Sequence, residues 1–289
     1  MLKCMELTFL GTGTSHGIPV IGCDCPVCTS TDRKDRRYRS SVLITGNDGT
    51  SVIIDTGPEF RLQAVEHHIK HLDAIFFTHS HADHMNGIDD VRIFSCTGRA
   101  SVRPEDEKPP LPIYGTAETL CDLKHRFDYV FKDTQKAGGK PKIELHDIAA
   151  YPESTVRISS LSFTEVPLLH GSLHDSGWLI RDTGGHSIAY LTDVSELPES
   201  SATLVRNADV LVIDGLRRKE HPTHFTFSEA VAAAAYIAPG KAYITHICHD
   251  LKHDEINSFL EEEKKKYAQL QNISVQAAFD GLRIAVSVQ

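Results

Sequence analysis

The chain has 289 residues, 40% of them hydrophobic and 24% charged, with a formal charge of −9 and a pI of about 6.0. This composition excludes disordered and collagen-like chains, and the acidic balance argues against a surface that neutralises long runs of phosphate backbone. No apolar run approaches the roughly 18 residues of a membrane span, and Met1–Leu10 lacks the features of a cleaved leader, so a cytoplasmic protein is expected.

Glu6–Leu10 reads as a strand that ends in Gly11-Thr12-Gly13-Thr14, where two glycines permit backbone angles other residues resist. Ser41–Thr45 and Ser51–Asp55 are β-branched runs joined by Gly46-Asn47-Asp48-Gly49-Thr50, the pattern of an antiparallel hairpin. A helix is expected over Glu59–His71, with His67, His68 and His71 on its solvated face. Asp73–Thr78, apolar from Ala74 to Phe77, reads as a short buried strand that runs straight into His79-Ser80-His81-Ala82-Asp83-His84. Thr97–Pro110 carries three prolines and a charge cluster and reads as an exposed loop, with 97–111 a candidate lid. Thr116–Val130 reads as helix and Lys132–Lys142 as a polar break.

In the second half, strands are expected at Leu161–Val166, Gly177–Ile180, Ser187–Leu191, Val210–Ile213 and Ala242–Thr245, with helical patterns between and after them. Phe225–Ile237 is alanine-rich and opens with Thr226-x-x-Glu229, a capping box in which each side chain satisfies an orphan backbone donor. Asp254–Leu270 is amphipathic and heavily charged, the pattern of an outer helix. No solenoid repeat and no long linker divides the chain, so residues 1–289 read as one α/β domain of two layered halves.

The chemistry lies in histidine, aspartate and cysteine. His79-x-His81-x-Asp83-His84 offers the nitrogen and oxygen ligands that divalent Zn or Mn accept, and its spacing lets alternate side chains point at two adjacent ions. His170, Asp193 and His246 each follow an apolar run; taken singly, such residues are more often ordinary surface or core groups than ligands. Asp55 closes the run Ile53-Ile54. Of seven cysteines, Cys4, Cys96, Cys121 and Cys248 are isolated, which speaks against a disulfide framework. The other three, Cys23-x-Cys25-x-x-Cys28, suit one tetrahedral zinc but fall one ligand short; His249 is the favoured fourth and Cys248 the alternative.

On these residues the chain resembles the metallo-β-lactamase superfamily over nearly its whole length. The loop Gly11-Thr12-Gly13-Thr14-Ser15-x-Gly17-Ile18-Pro19, followed by Gly22-Cys23-x-Cys25-x-x-Cys28 and by Thr245-His246-Ile247-Cys248-His249, is similar to that of the PhnP-like phosphodiesterases. The resemblance implies an αββα sandwich, two packed mixed β-sheets flanked by helices. It implies that His79, His81 and His170 hold one cation and Asp83, His84 and His246 another, with Asp193 bridging and Asp55 orienting the ligand loop. Two divalent cations, Mn2+ or Zn2+, would occupy this site, and a structural Zn2+ would sit on Cys23, Cys25, Cys28 and His249.

The reaction so implied is attack of a metal-bridging hydroxide on a small phosphodiester, such as a cyclic ribose phosphate or a nucleotide, with Asp83 and His224 as the catalytic side chains. His224 lies two residues before Thr226, where the helix start attracts an anionic phosphate, and is assigned as the acid that protonates the leaving alkoxide. His174 is the further histidine to test for substrate contact, while His186 and His221 read as solvated. The expected partner is the small phosphodiester or nucleotide itself, with no membrane and no long nucleic acid; a homodimer is allowed for. Competing readings are a tRNA 3′-processing nuclease, a thioester or lactone hydrolase, and a non-catalytic PqqB-like metal-binding protein. Against the first stand the net charge and the brevity of Gly138-Gly139-Lys140-Pro141-Lys142, too short for a basic arm; against the last stands the full set of ligand positions.

Overall fold

A computed structural model describes residues 4–95, 109–132 and 139–286. The first half of the chain forms β1 (Met5–Gly11), β2 (Ser41–Thr45), β3 (Ser51–Ile54), α1 (Phe60–Glu66), β4 (Ala74–Phe76), α2 (Ala82–Met85), α3 (Arg92–Ser95), β5 (Leu111–Gly115), α4 (Ala117–Arg126), α5 (Asp128–Phe131) and β6 (Ile143–Asp147). The second half forms β7 (Thr155–Ile158), β8 (Leu161–His170), β9 (Leu173–Asp182), β10 (Ser187–Leu191), α6 (Glu199–Leu204), β11 (Val210–Asp214), α7 (Phe227–Ile237), β12 (Lys241–Thr245), α8 (His253–Lys264), β13 (Ser274–Ala277) and β14 (Arg283–Val286).

Among the described residues these strands make two seven-stranded sheets, in the orders β14-β1-β2-β3-β4-β5-β6 and β13-β12-β11-β10-β9-β8-β7. Each sheet is antiparallel on one side and parallel on the other: β3 to β6 run parallel in the first, β10 to β13 in the second. Strand β4 shows why the sheets stack. Its Ala74 and Phe76 pack against Phe163, Trp178 and Tyr190 of the other sheet, while Ile75 and Phe77 on its opposite face join Phe60, Val91 and Leu123 of the helical layer. A strand covered on both faces has no polar side to show, which is the reason for its unbroken apolar run. The second sheet is backed in the same way by α7 and α8, whose Phe227, Ala230, Ile256 and Leu260 meet Leu191, Leu211 and Ile244. The layers are thus helix, sheet, sheet, helix: the αββα sandwich.

Several elements differ from the sequence reading. No helix intervenes between 161 and 191: β7 to β10 form an antiparallel meander, and β8 pairs with β9 along ten residues from Leu161↔Asp182 to His170↔Leu173. Glycines in positive-φ turns, Gly171 (φ 63) and Gly185 (φ 87), lie in the connections that reverse this chain. Helix α1 stops at Glu66, and His68 at φ 54 carries the chain out of the helix, so His68 and His71 lie beyond it and His67 only caps it. The outer helix α8 ends at Lys264 and is followed by a separate short turn at Ala268–Leu270. Strands β5, β6, β7, β13 and β14 were not among the expected elements. Gly11 and Gly13 have no positive φ; a Cβ on Gly11 would lie 2.0 Å from Arg39 O, so close approach of backbones, and not unusual angles, demands glycine there. The candidate lid lies outside the described residues from 97 to 108, and no described helix is long and apolar enough to cross a membrane.

Candidate metal centre

The parallel strands of both sheets end on one rim, and most ligand candidates lie at those ends, where α/β sheets place their ligands. Asp55 follows β3 with φ 65 and is fully buried. Its two oxygens accept from Thr78 N and Thr78 Oγ1, each at 2.9 Å, and Oδ2 also accepts from His84 Nδ1 at 2.8 Å. One carboxylate therefore fixes both the entry to the histidine loop and the ring that ends it. The loop turns into α2, whose first residues are Ala82, Asp83 and His84; Thr56 N donates to His84 O at 2.7 Å. A Cβ on Gly57 would lie 2.2 Å from Asp83 O, so this close seating requires glycine. From outside, Ser80 Oγ donates to Asp122 Oδ2 (2.6 Å) and Arg126 donates to Ser80 O (2.6 Å), which pins the loop to α4.

The rings converge. His79 lies 4.5 Å from His81, 4.3 Å from His84 and 5.5 Å from His170, centroid to centroid. Nitrogens of His79, His81 and His170 come within 4.8 Å of one another, and the same holds for the sets His79, His84, Asp193 and Asp83, His84, His246. Asp193, after β10 with φ 56, places one oxygen 3.3 Å from His84 Nε2 and the other 3.2 Å from His246 Nε2. Asp83 Oδ2 is 3.2 Å from the same His84 nitrogen. His170 donates Nδ1–H to Thr223 O at 2.7 Å, leaving Nε2 for the site. His81 is the one exposed member.

Two carboxylates that the motif reading did not select stand behind the rings. Asp175 on β9 lies 3.3 Å from His79 Nδ1, and Asp214, the last residue of β11, accepts from His224 Nδ1 and Val194 N at 2.8 and 2.9 Å. Asp214 thereby fixes which His224 nitrogen faces the centre, whereas His79 Nδ1 hydrogen-bonds Thr78 Oγ1 at 3.0 Å and Asp175 Oδ2, without a hydrogen bond, adds only its nearby charge. Asp214 had a visible signal, since Val210-Leu211-Val212-Ile213-Asp214 repeats the pattern Val52-Ile53-Ile54-Asp55; Asp175, inside a hairpin, had none. His224 also comes within 4.6 Å of both His170 and His246, ring to ring, and lies in a cluster with His170 and Asp193.

Electrostatics show what this arrangement demands. Burial disfavours the charged ring at His84, yet Asp193, Asp83 and Asp55 outweigh it and hold His84 well above the ordinary imidazole range; His246 is raised in the same way, chiefly by Asp193. Asp83 and Asp193 are driven down by those rings despite burial. Burial holds His79 and His170 low, hence neutral and ready to coordinate. His79 Nε2, His84 Nε2 and both nitrogens of His246 are buried without a hydrogen-bond partner. Orphaned imidazole nitrogens facing ionised carboxylates fit divalent cations, which would take the place of the protons drawn onto His84 and His246.

A second cluster fits a different ion. Cys23, Cys25 and Cys28 place Sγ at 3.4, 3.5 and 3.5 Å from His249 Nδ1. Bonds of about 2.3 Å to sulfur and 2.0–2.1 Å to nitrogen give a tetrahedral edge of about 3.5 Å, so the spacing fits one zinc. Cys28 N–H pulls the Cys25 thiol down to about 6, while burial pushes Cys28 up to about 11; a cation would remove that disparity by taking all three as thiolates. Cys248 is buried outside the cluster.

The remaining histidines disperse. His174 is exposed at the site end of β9 and belongs to neither cation set; His186 bonds Asp182 at the far end of that strand. His221, read as solvated, is half-buried with its ring 5.2 Å from that of His224 and Nδ1 3.1 Å from Thr223 Oγ1.

Residues 50–247 match the model of the "Beta-lactamase superfamily domain". A crystal structure of a new diphosphatase from the PhnP family is similar at 39% identity, with a TM-score of 0.81 and 98% of each chain covered. Zn(2+)-bound PqqB from Methylobacterium extorquens shares the fold, at 17% identity, TM-score 0.73, and 96% and 99% of the two chains. An octanoyltransferase of Porphyromonas gingivalis is 33% identical over 246 residues, 85% of this chain; the chain spans 46% of that relative's length.

Proposed function

The chain belongs to the metallo-β-lactamase superfamily, within its PhnP branch, and from that premise we propose that it is a metal-dependent hydrolase of the P–O bond in a small phosphodiester, such as a cyclic ribose phosphate or a nucleotide. The observation that carries this reading is the convergence of unpartnered nitrogens of His79, His84 and His246 on Asp83 and Asp193, with His224 at their side. His79, His81 and His170 would hold one cation, Asp83, His84 and His246 the other, and Asp193 both. Two such cations lower the pKa of a water and neutralise charge that builds on phosphoryl oxygens.

The protein's own groups supply the rest. Asp55, Thr78 Oγ1 and Thr223 O fix the rings of His84, His79 and His170, so the donor set needs no rearrangement when charge develops. His224 gives Nδ1–H to Asp214 and keeps Nε2 for substrate, the arrangement of an acid that protonates a departing alkoxide. A diphosphate bridge, the bond suggested by the name of the PhnP-family relative, is cleaved by the same displacement but leaves as phosphate and asks less of that acid.

The test is metal analysis combined with a substrate panel: a cyclic ribose phosphate, an aryl phosphodiester, a nucleoside diphosphate sugar, a lactone, and an octanoyl thioester, the last prompted by the P. gingivalis relative. Turnover of phosphorus esters that disappears on chelation and returns with Mn2+ or Zn2+ is the expected result. Turnover of the thioester or lactone alone would overturn the reading.

A further inference from the structure

Asp35 and Arg37 meet the backbone of the turn that carries both His246 and His249 and of the residues that follow it. The Arg37 side chain is 0% exposed. Its two terminal nitrogens donate to main-chain carbonyls of that turn, one to Cys248 O and the other to Leu251 O at 3.1 Å. The nearest carboxylate, Asp35, is 3.7 Å away and is engaged elsewhere, accepting from His253 N at 2.7 Å and Ser30 Oγ at 2.6 Å. A fully buried guanidinium is thus spent on two carbonyls that bracket His249.

The turn needs such support. His246 has φ 58, a left-handed conformation that a residue with a Cβ resists. Ile247 N donates to Thr12 O at 2.8 Å, Thr14 N donates to Ile247 O at 3.2 Å, and Cys248 N donates to Leu216 O at 3.1 Å. Those bonds hold the segment only as far as the Cys248 amide; the next carbonyl, and the one at Leu251, belong to Arg37. A planar guanidinium reaches both at once, whereas an ammonium is a single point of charge.

We propose that Arg37 is a positioning residue: it sets the backbone from His246 to Leu251 so that one turn presents His246 to the imidazole–carboxylate cage and His249 to the cysteine cluster, and cation affinity at each depends on it. Only the activity arm of the test rests on the hydrolase reading; the cation-binding arm stands without it.

The variants are Arg37→Met and Arg37→Lys in the full chain. The readouts are the Mn2+ binding isotherm of chelator-stripped protein, the rate at which zinc passes from the cysteines to a chromogenic chelator, Tm, and kcat and KM on an aryl phosphodiester. Arg37→Met is expected to bind Mn2+ about 10–100-fold more weakly and to release zinc faster, as when an outer-shell partner of a ligand is lost. Its kcat falls while KM stays within about twofold, because substrate contacts are untouched. Arg37→Lys is intermediate. Wild-type Mn2+ affinity and zinc release in Arg37→Met, even with a lowered Tm, would overturn the proposal and leave Arg37 a stability element. If Arg37→Met does not fold, Arg37→Lys, which keeps the charge and loses the second prong, decides by the same criteria. Weaker Mn2+ binding and faster zinc release in Arg37→Met, in a protein that cleaves none of the esters, would instead remove the hydrolase reading and leave this inference standing.

Discussion

His246 and His249 leave one turn in different directions, the first into a cage of buried imidazoles and carboxylates, the second into a half-exposed set of three thiols. The cage draws its members from the ends of β4, β8, β10 and β12, in both sheets, and keeps Asp55 and Asp175 behind its rings. The cysteine cluster takes three of its four members from six consecutive residues, and no carboxylate hydrogen-bonds to them among the described residues. Mixed nitrogen and oxygen donors with surplus capacity suit cations that must leave room for substrate, whereas three sulfurs and one nitrogen close a tetrahedron. On the proposed reading the first arrangement would serve chemistry and the second would hold a loop in place.

Removing the shared carboxylate is the sharpest way to separate the two. Asp193→Ala is expected to lower turnover by about 10³-fold or more and to strip cations from the cage, while zinc at the cysteines stays, read by metal analysis per chain. Loss of all three cations together would erase the distinction drawn above. His224→Ala comes next: a loss of about 10²–10⁴-fold on esters with alkoxide leaving groups and far less on aryl esters, measured as kcat/KM across a leaving-group series. A uniform loss would take the acid role from His224. Cys25→Ser should cost about 3 kcal/mol or more of stability and release the zinc, seen in denaturant titration, with turnover per folded molecule falling much less than in Asp193→Ala.

The smallest effect lies outside both clusters. Burial pushes the Asp280 carboxyl up to about 7, against the pull of Tyr38 N–H and Thr12. The native state therefore keeps a proton that the unfolded chain gives up near pH 4, so this group's contribution is full at lower pH and fades as pH rises through about 7. Asp280→Asn, which can still serve Tyr38 N and Thr12 Oγ1, is expected to flatten that fall by at most about 2.5 kcal/mol between about pH 5 and about pH 8, read from Tm at the two values.

Local pattern made the cage legible where a ligand follows a buried strand. β4 declares itself by an apolar run because both its faces are covered, and His79 to His84 follow at once. The capping box of α7 forms as its sequence dictates, with Glu229 accepting from Thr226 N at 2.7 Å. The edge strands β6 and β7 escaped because they lie only half against the core and carry Glu144, His146 and Arg157 among few apolar side chains. Asp175 escaped for a different reason: its partner, His79, is nearly a hundred positions away, and no local pattern encodes a contact made by pairing across layers.

The order in which the sheets are completed has its own consequence. β14, at the far end of the sequence, pairs with β1, and the Asp280 turn that leads into it accepts from Thr12 and Tyr38, across 268 and 242 positions. A ribosome that has emitted every candidate cation ligand, as far as His249, has not yet emitted the last strand of either sheet. Nascent protein at that point has all its donors, while one edge strand of each sheet and the Asp280 turn that clamps Thr12 and Tyr38 are still to be made, so the frame around the donors closes last.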